Sequence, residues 1–159
     1  MNDNASGSIS ILELALKLSN FSFPNTVRFA WWAAEEAGLG GSTRYTRALS
    51  AEERSKIALY INSDMIASPN AGYIIYDQDC TNFTPSTAVP VCPPPAINHI
   101  KQTFLDHFKQ ASNITAWATS TISSESDHKP FVDHGIPVGY LTTGDRGIKT
   151  ESQAQMCVF

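Results

Sequence analysis

The chain has 159 residues, of which 42% are hydrophobic, and this is enough for one domain with a buried core. Its 11 basic and 15 acidic residues give a formal net charge of −4. Because no basic cluster runs longer than two residues, we expect neither nucleic acid nor a membrane surface as a partner. No apolar stretch approaches the roughly 20 residues of a membrane-spanning helix, and the N-terminus MNDNASGSIS lacks the pattern of a signal peptide.

Cysteines and glycosylation sequons favour a secreted protein. Cys80 and Cys92 bracket a Pro-, Ser- and Thr-rich stretch, residues 78–95, which we interpret as an insertion loop that a disulfide between them would constrain. Because disulfides persist in oxidising compartments, the pair favours an extracellular location for the complete protein. The same location suits the N-x-S/T sequons at Asn4, Asn20, Asn82 and Asn113.

The first third of the chain predicts a helix, a strand and two short helices. Residues 8–18 are apolar almost all round, which predicts a mostly buried helix. The run TVRFAWWA at 26–33 is rich in β-branched and aromatic residues and predicts a strand covered on both faces. After the glycine turn AGLGGS, Ser42 and Ser50 stand where a side chain would cap a short helix.

The remainder alternates strands and helices. Apolar spacing predicts an amphipathic helix at 96–110, and short apolar runs predict strands at 57–66, 72–77, 114–119 and 136–141. Such an alternation is typical of an α/β domain with helices outside a largely buried sheet.

Four acidic residues lie at or near the ends of apolar runs: Asp3, Glu35, Glu36 and Asp64. In open α/β sheets ligands bind outside the carboxyl ends of strands, so these side chains could converge there. Crowded carboxylates need a counter-charge, and a pair of divalent ions would supply it. On an extended backbone Glu35 and Glu36 point different ways, so one could bind metal while the other acts as a base. The alternative interpretation of the Glu-Glu pair is a solvated surface dipeptide.

Four segments resemble the M28 family of zinc aminopeptidases in order and spacing: NDNASG at 2–7, VRFAWWAAEEAGLGGS at 27–42, LYINSDMIASPNAGYIIYD at 59–77, and SDHKPF with GIPVGYLTTG between 126 and 144. The chain looks most like secreted fungal and bacterial members that prefer large apolar N-terminal residues. The resemblance implies a three-layer α/β/α fold around a mostly parallel, mixed central sheet. Residues 1–159 would form a single but incomplete domain of this kind.

The resemblance also implies two zinc ions and a role for each acidic residue. Asp3 would bridge both ions, Glu36 would bind one, and Asp64 would bind the other. Glu35 would be the general base, and Glu35 and Asp64 would help to hold the substrate's free α-amine. We expect a monomeric peptide hydrolase that acts on peptides with a free N-terminus.

The family's two histidine ligands are expected outside the chain, one upstream of Asp3 and one downstream of Phe159, which implies truncation at both ends. We do not expect the chain's own histidines to replace them: His99, His107, His128 and His134. A non-catalytic remnant that cannot hold both metals is the alternative function.

Overall fold

A computed structural model describes residues 2–68, 72–76, 96–112, 116–119, 126–144 and 151. The helices among them are α1 (Asn2–Leu18), α2 (Gly40–Ala48), α3 (Ala51–Ser55), α4 (Ala96–Ser112) and α5 (Lys129–Asp133). The strands are β1 (Tyr60–Ser63), β2 (Tyr73–Tyr76), β3 (Ala116–Thr119) and β4 (Val138–Thr142). The predicted 78–95 loop and the proposed partners Cys80 and Cys92 lie outside the described residues. No helix within the described ranges is long and apolar enough to cross a membrane.

The four strands form one mixed sheet in the order β1-β4-β2-β3. β1 runs parallel to β4, with Tyr60 opposite Val138, and β2 runs parallel to β3. The centre of the sheet is antiparallel, because β2 pairs with β4 with Ile75 opposite Leu141. This arrangement agrees with the mixed α/β sheet expected from the sequence.

Successive residues of β4 point to opposite faces of the sheet, and a helix covers each face. Val138 and Tyr140 are buried in a core with Phe131 of α5. Gly139 faces α4, and a Cβ added there would lie 2.7 Å from Ile100 Cγ2 and 3.1 Å from Phe104 Cε2. A helix on each face of the sheet gives the three layers of the predicted fold.

An aromatic cluster formed by Trp32, Tyr45, Tyr60 and Phe131 joins the sheet to α2 and α5. The rings of Tyr60 and Phe131 stack with centroids 3.9 Å apart and planes 5° from parallel. Trp32 lies 5.0 Å from Tyr45 and 6.0 Å from Phe131 by ring centroids. Because Trp32 is three residues before Glu35, the cluster anchors the segment that carries the Glu-Glu pair.

The predicted strand at 26–33 is wrong for the part of the chain that the structure describes, where these residues form no ladder. A strand needs a neighbour to accept and donate its backbone hydrogen bonds. Within the described sheet, β1 is an edge strand that pairs with β4 alone. Val27 and Trp31 are accordingly 48% and 49% exposed.

The helix predicted at 8–18 is present within α1, but its predicted burial is wrong among the described residues. Ile9 is 66% exposed and Leu16 is 61% exposed, and the buried residue of α1 is Gly7. The reason is that α1 meets the described sheet near its N-terminal end, beside β1.

The two predicted helix caps have different outcomes. Ser50 caps α3 in a capping box: Glu53 N donates to Ser50 Oγ at 3.2 Å, and Ser50 N donates to Glu53 Oε2 at 2.7 Å. The prediction for Ser42 is wrong, because α2 begins earlier, with Leu39 at its N-cap position. The Ser42 side chain is buried and donates instead to Asp127.

The burial of His128 makes the free energy of unfolding depend on pH. The side chain is 1% exposed and stacks on Tyr140 with ring centroids 4.7 Å apart. Burial, and to a smaller extent the neighbouring charge of Lys129, lowers its pKa from 6.5 to about 4. Between pH 6.5 and pH 4 the unfolded chain therefore binds more protons at His128 than the folded chain does. The contribution of the neutral His128 to the free energy of unfolding is present above pH 6.5 and is lost as the pH falls towards 4.

We expect His128→Phe, which keeps a stacked ring without a titrating group, to flatten this dependence. The wild type should lose about 3 kcal/mol more unfolding free energy than the variant between pH 7 and pH 4. Urea denaturation at the two pH values measures the difference. His99→Phe, at an exposed position on α4, is the matched control and should keep the wild-type dependence. Equal slopes for wild type and His128→Phe would contradict a neutral buried imidazole.

Candidate metal centre and active site

Asp64 follows directly after the last residue of β1. Because β1 and β4 are parallel, their carboxyl ends lie at the same edge of the sheet. Thr143, at the end of β4, donates to Met65 O through its backbone N at 2.9 Å and its Oγ1 at 2.6 Å. These bonds hold the loop after Asp64 against the end of β4, where α/β sheets form ligand sites.

The segment that carries Asp3 is joined to this loop by side-chain hydrogen bonds. Asn4 Nδ2 donates to Ser63 O at 2.9 Å, while Asn4 Oδ1 accepts from Met65 N at 3.2 Å and from Gly7 N at 3.0 Å. Further bonds join Asn2 to Ala67 and Ser68, and Ser6 to Ile66. Asp3 is thereby held beside the loop that begins at Asp64.

Gly7 is required for this close approach of α1 to β1. A Cβ on Gly7 would lie 2.2 Å from Ser63 O and 2.5 Å from Asn4 Oδ1. The first contact is with backbone, which cannot move aside as a flexible side chain can. A side chain at this position would therefore push Asp3 away from the sheet.

Glu35 and Glu36 lie in the turn that leads into α2. The carbonyl of Glu35 accepts from Gly38 N at 3.0 Å and from Leu39 N at 2.8 Å. Gly38 has φ +93°, in the region that glycine adopts most readily. The turn thus fixes the backbone from which both carboxyl groups project.

The negative charges of the other predicted acidic residues act on Glu35. The pKa of Glu35 is raised from 4.5 to about 7, mainly by burial and then by the negative charges of Asp64, Asp127, Glu36 and Asp3. Burial and like charges both disfavour the ionised carboxylate. Glu35 therefore has a pKa in the range of a base that works near neutral pH.

Asp3 and Glu36 approach closely enough to share a hydrogen bond, which is the main reason that the pKa of Glu36 is raised. The negative charges of Asp3 and Asp64 raise it further. Two carboxyl groups in contact must hold a proton between them or bind a cation. This pair is therefore a natural place for a metal ion.

Sequence reasoning missed Asp127 and Ser126. Burial raises the pKa of the Asp127 carboxyl, a hydrogen bond from Ser42 Oγ to Oδ1 at 2.5 Å opposes the rise, and Asp64 adds to it. Ser126 Oγ donates to Asp64 Oδ2 at 2.7 Å. The available signal was the Ser-Asp pair that opens the fourth resembling segment.

The acidic residues fit the carboxylate part of a divalent metal centre. Their oxygens are ligands that zinc accepts, and their mutual repulsion is what a bound cation would relieve. Within the described ranges no three His, Cys, Asp or Glu side chains are placed so that they could hold a metal ion together. The histidines lie elsewhere: His99, His107 and His134 are exposed, and His128 is buried against Tyr140.

Residues 1–154 match the sequence profile of peptidase family M28. The chain belongs to this family. The resemblance that the four segments indicated is thereby confirmed.

Relatives of this M28 chain are peptidases. It is 44% identical over 155 residues to an aminopeptidase of Pseudomonas aeruginosa, covering 98% of the chain and 27% of the relative. It is 42% identical over 156 residues to a probable leucine aminopeptidase 2 of Aspergillus fumigatus, covering 98% of the chain and 30% of the relative. The chain thus spans less than a third of the length of these relatives.

A solved structure supports the fold. The zinc aminopeptidase of Bacillus subtilis superimposes with a TM-score of 0.71 at 25% identity, over 91% of the M28 chain and 32% of the other. The predicted α/β architecture is confirmed by this match together with the mixed sheet.

We expect Gly7→Ala to lower the unfolding free energy by about 1–3 kcal/mol, because the added methyl overlaps the Ser63 carbonyl. It should also weaken zinc binding, since Asp3 lies on the displaced segment. Urea denaturation and chelator competition measure the two effects. Ser10→Ala, on an exposed part of the same helix, should change the unfolding free energy by no more than about 0.5 kcal/mol. Wild-type values for Gly7→Ala would contradict the close approach.

Proposed function

We propose that the chain carries the carboxylate part of the active site of a dizinc aminopeptidase. The observation that supports this proposal is that the negative charges of Asp64, Glu36 and Asp3 all raise the pKa of the partly buried Glu35. Family membership and the names of the relatives support the same activity.

In the proposed site two zinc ions would be held by Asp3 together with Glu36 for one ion and Asp64 for the other. The ions would supply Lewis acidity, which polarises the scissile carbonyl and makes water acidic enough to react near neutral pH. The contact between Asp3 and Glu36 supports the proposal that both would bind the same ion. Asp64 follows the last residue of β1, at the edge of the sheet where the parallel strands β1 and β4 end.

Glu35 acts as the general base. Its carboxylate takes a proton from the attacking water and returns it to the nitrogen of the leaving amine. Burial is the largest cause of the raised pKa of Glu35, and it makes this carboxylate a stronger base than an exposed glutamate.

The negative charge of the site also accounts for the choice of substrate. A peptide's free N-terminus carries a positive charge, which Glu35 and Asp64 attract, whereas a peptide bond inside a chain offers no such group. We propose a preference for large apolar N-terminal residues, in line with the relative named a probable leucine aminopeptidase. The protein is further proposed to act as a monomer outside the cell, in keeping with the cysteine pair and the sequons.

Replacing Glu35 with Gln in the full-length protein tests the proposal. We expect kcat for a leucine anilide to fall by about 10²–10⁴-fold, because glutamine cannot accept the proton. Zinc content, measured on the same samples by metal analysis, should stay at the wild-type value. Glu52→Gln, at an exposed glutamate in α3, is the matched control and should retain full activity.

Parallel loss of zinc and turnover in Glu35→Gln would contradict its assignment as the base. A wild-type protein with neither zinc nor turnover would instead favour the non-catalytic remnant.

A further inference from the structure

A line of side-chain hydrogen bonds runs from the aromatic cluster to Asp64. Trp32 Nε1 donates to Tyr60 Oη at 3.1 Å, and Tyr60 Oη donates to Asn62 Oδ1 at 2.9 Å. Asn62 Nδ2 donates to Ser126 Oγ at 2.9 Å, and Ser126 Oγ donates to Asp64 Oδ2 at 2.7 Å. Each bond is short enough to be made, so the five side chains form a continuous series.

The direction of the series is fixed at both ends. The indole N–H of Trp32 can only donate, and a carboxylate that binds a metal ion, as proposed for Asp64, can only accept. Between them, each hydroxyl has a single hydrogen to pass on. If the amide of Asn62 were reversed, its oxygen would draw the hydrogen of Ser126 away from Asp64. A lone pair would then face Asp64 Oδ2 across 2.7 Å.

The middle of the series is protected from water. Asn62 and Ser126 are each 5% exposed, so solvent does not supply replacement partners. Leaving a buried polar group without a partner is unfavourable, so the existing arrangement of hydrogen bonds is the favoured one. Tyr60, the upstream member, is held in place by its stack on Phe131.

The alternation of β1 explains why these residues line up. Tyr60 and Asn62 are two positions apart in the strand and therefore lie on the same face of the sheet. Asp64 is two positions further on, just beyond the strand end. The sequence Y-I-N-S-D thus sets an aromatic anchor, an amide and a carboxylate in one row.

We propose that Asn62 is a positioning residue of the metal centre: it directs the hydroxyl hydrogen of Ser126 onto Asp64 and so fixes the rotation of that carboxylate for zinc. This inference rests on the proposed function, in which Asp64 is a zinc ligand. Groups that hydrogen-bond to metal ligands typically contribute about 10- to 100-fold in metal affinity or activity.

The test is the zinc dissociation constant of the full-length protein, measured by chelator competition. Asn62→Leu, which preserves bulk but removes both hydrogen bonds, should weaken zinc binding about 10- to 100-fold. Tyr60→Phe keeps the ring on Phe131 and removes only the hydroxyl, so it should weaken binding by about fivefold. If Asn62→Leu does not fold, the zinc dissociation constant of Tyr60→Phe tests the role of the hydrogen-bond series instead.

A double-mutant cycle separates transmission along the series from a general loss of structure. With Ser126→Ala already present, Tyr60→Phe should change zinc affinity by no more than about twofold, because the path to Asp64 is broken. Tyr45→Phe is the matched control: Tyr45 lies in the same aromatic cluster, but its hydroxyl accepts from Arg28. Its zinc affinity should equal that of the wild type.

The visible spectrum of the cobalt-substituted protein gives an independent readout, because it reports the geometry around the metal. It should change in Asn62→Leu and stay unchanged in Tyr45→Phe. Equal zinc affinities in wild type, Asn62→Leu and Tyr60→Phe would overturn the role of Asn62 while leaving the proposed function intact. A wild-type protein that binds no zinc would overturn the proposed function and this role together.

Discussion

Repulsion between neighbouring carboxylates is the interaction that the surrounding structure has to overcome. Burial and four negative neighbours raise the pKa of Glu35 to about 7, and contact with Asp3 raises the pKa of Glu36. Such crowding opposes folding unless protons or cations neutralise it. The surrounding structure must therefore hold these groups together against their own repulsion.

Three structural features hold the acidic residues in place. The parallel pairing of β1 with β4 brings two strand ends to one edge, and Asn4 ties the segment carrying Asp3 to that edge. The aromatic cluster anchors Trp32 and with it the Glu35 turn. Because each feature uses a different part of the chain, the site joins residues that are far apart in sequence.

The features that sequence reasoning predicted correctly depend on local patterns. The amphipathic spacing of α4 and the cap at Ser50 are set within a few residues, and the apolar runs of β1 and β4 are equally local. The position of Asp64 at a strand end follows from the same reasoning. The convergence of all four acidic residues stays a prediction, based on the tendency of α/β sheets to bind ligands at strand ends.

The features that it missed depend on distant partners. Residues 26–33 have the composition of a strand, but pairing requires a neighbour, and the described sheet offers none at that place. The local sequence predicts that Ser42 caps a helix, but its hydroxyl donates a hydrogen bond to Asp127, 85 residues away in sequence. The series of hydrogen bonds through Asn62 could not be predicted either, because its partner Ser126 is 64 residues away in sequence. Composition does not encode such contacts.

We propose that Asp3, Glu36 and Asp64 hold zinc. A crystal structure of the zinc-loaded full-length protein, with anomalous diffraction at the zinc edge, tests this proposal. We expect two peaks, both about 2.0–2.2 Å from oxygens of Asp3, with Glu36 on one ion and Asp64 on the other. Zinc bound elsewhere, or no peak at these carboxylates, would contradict it.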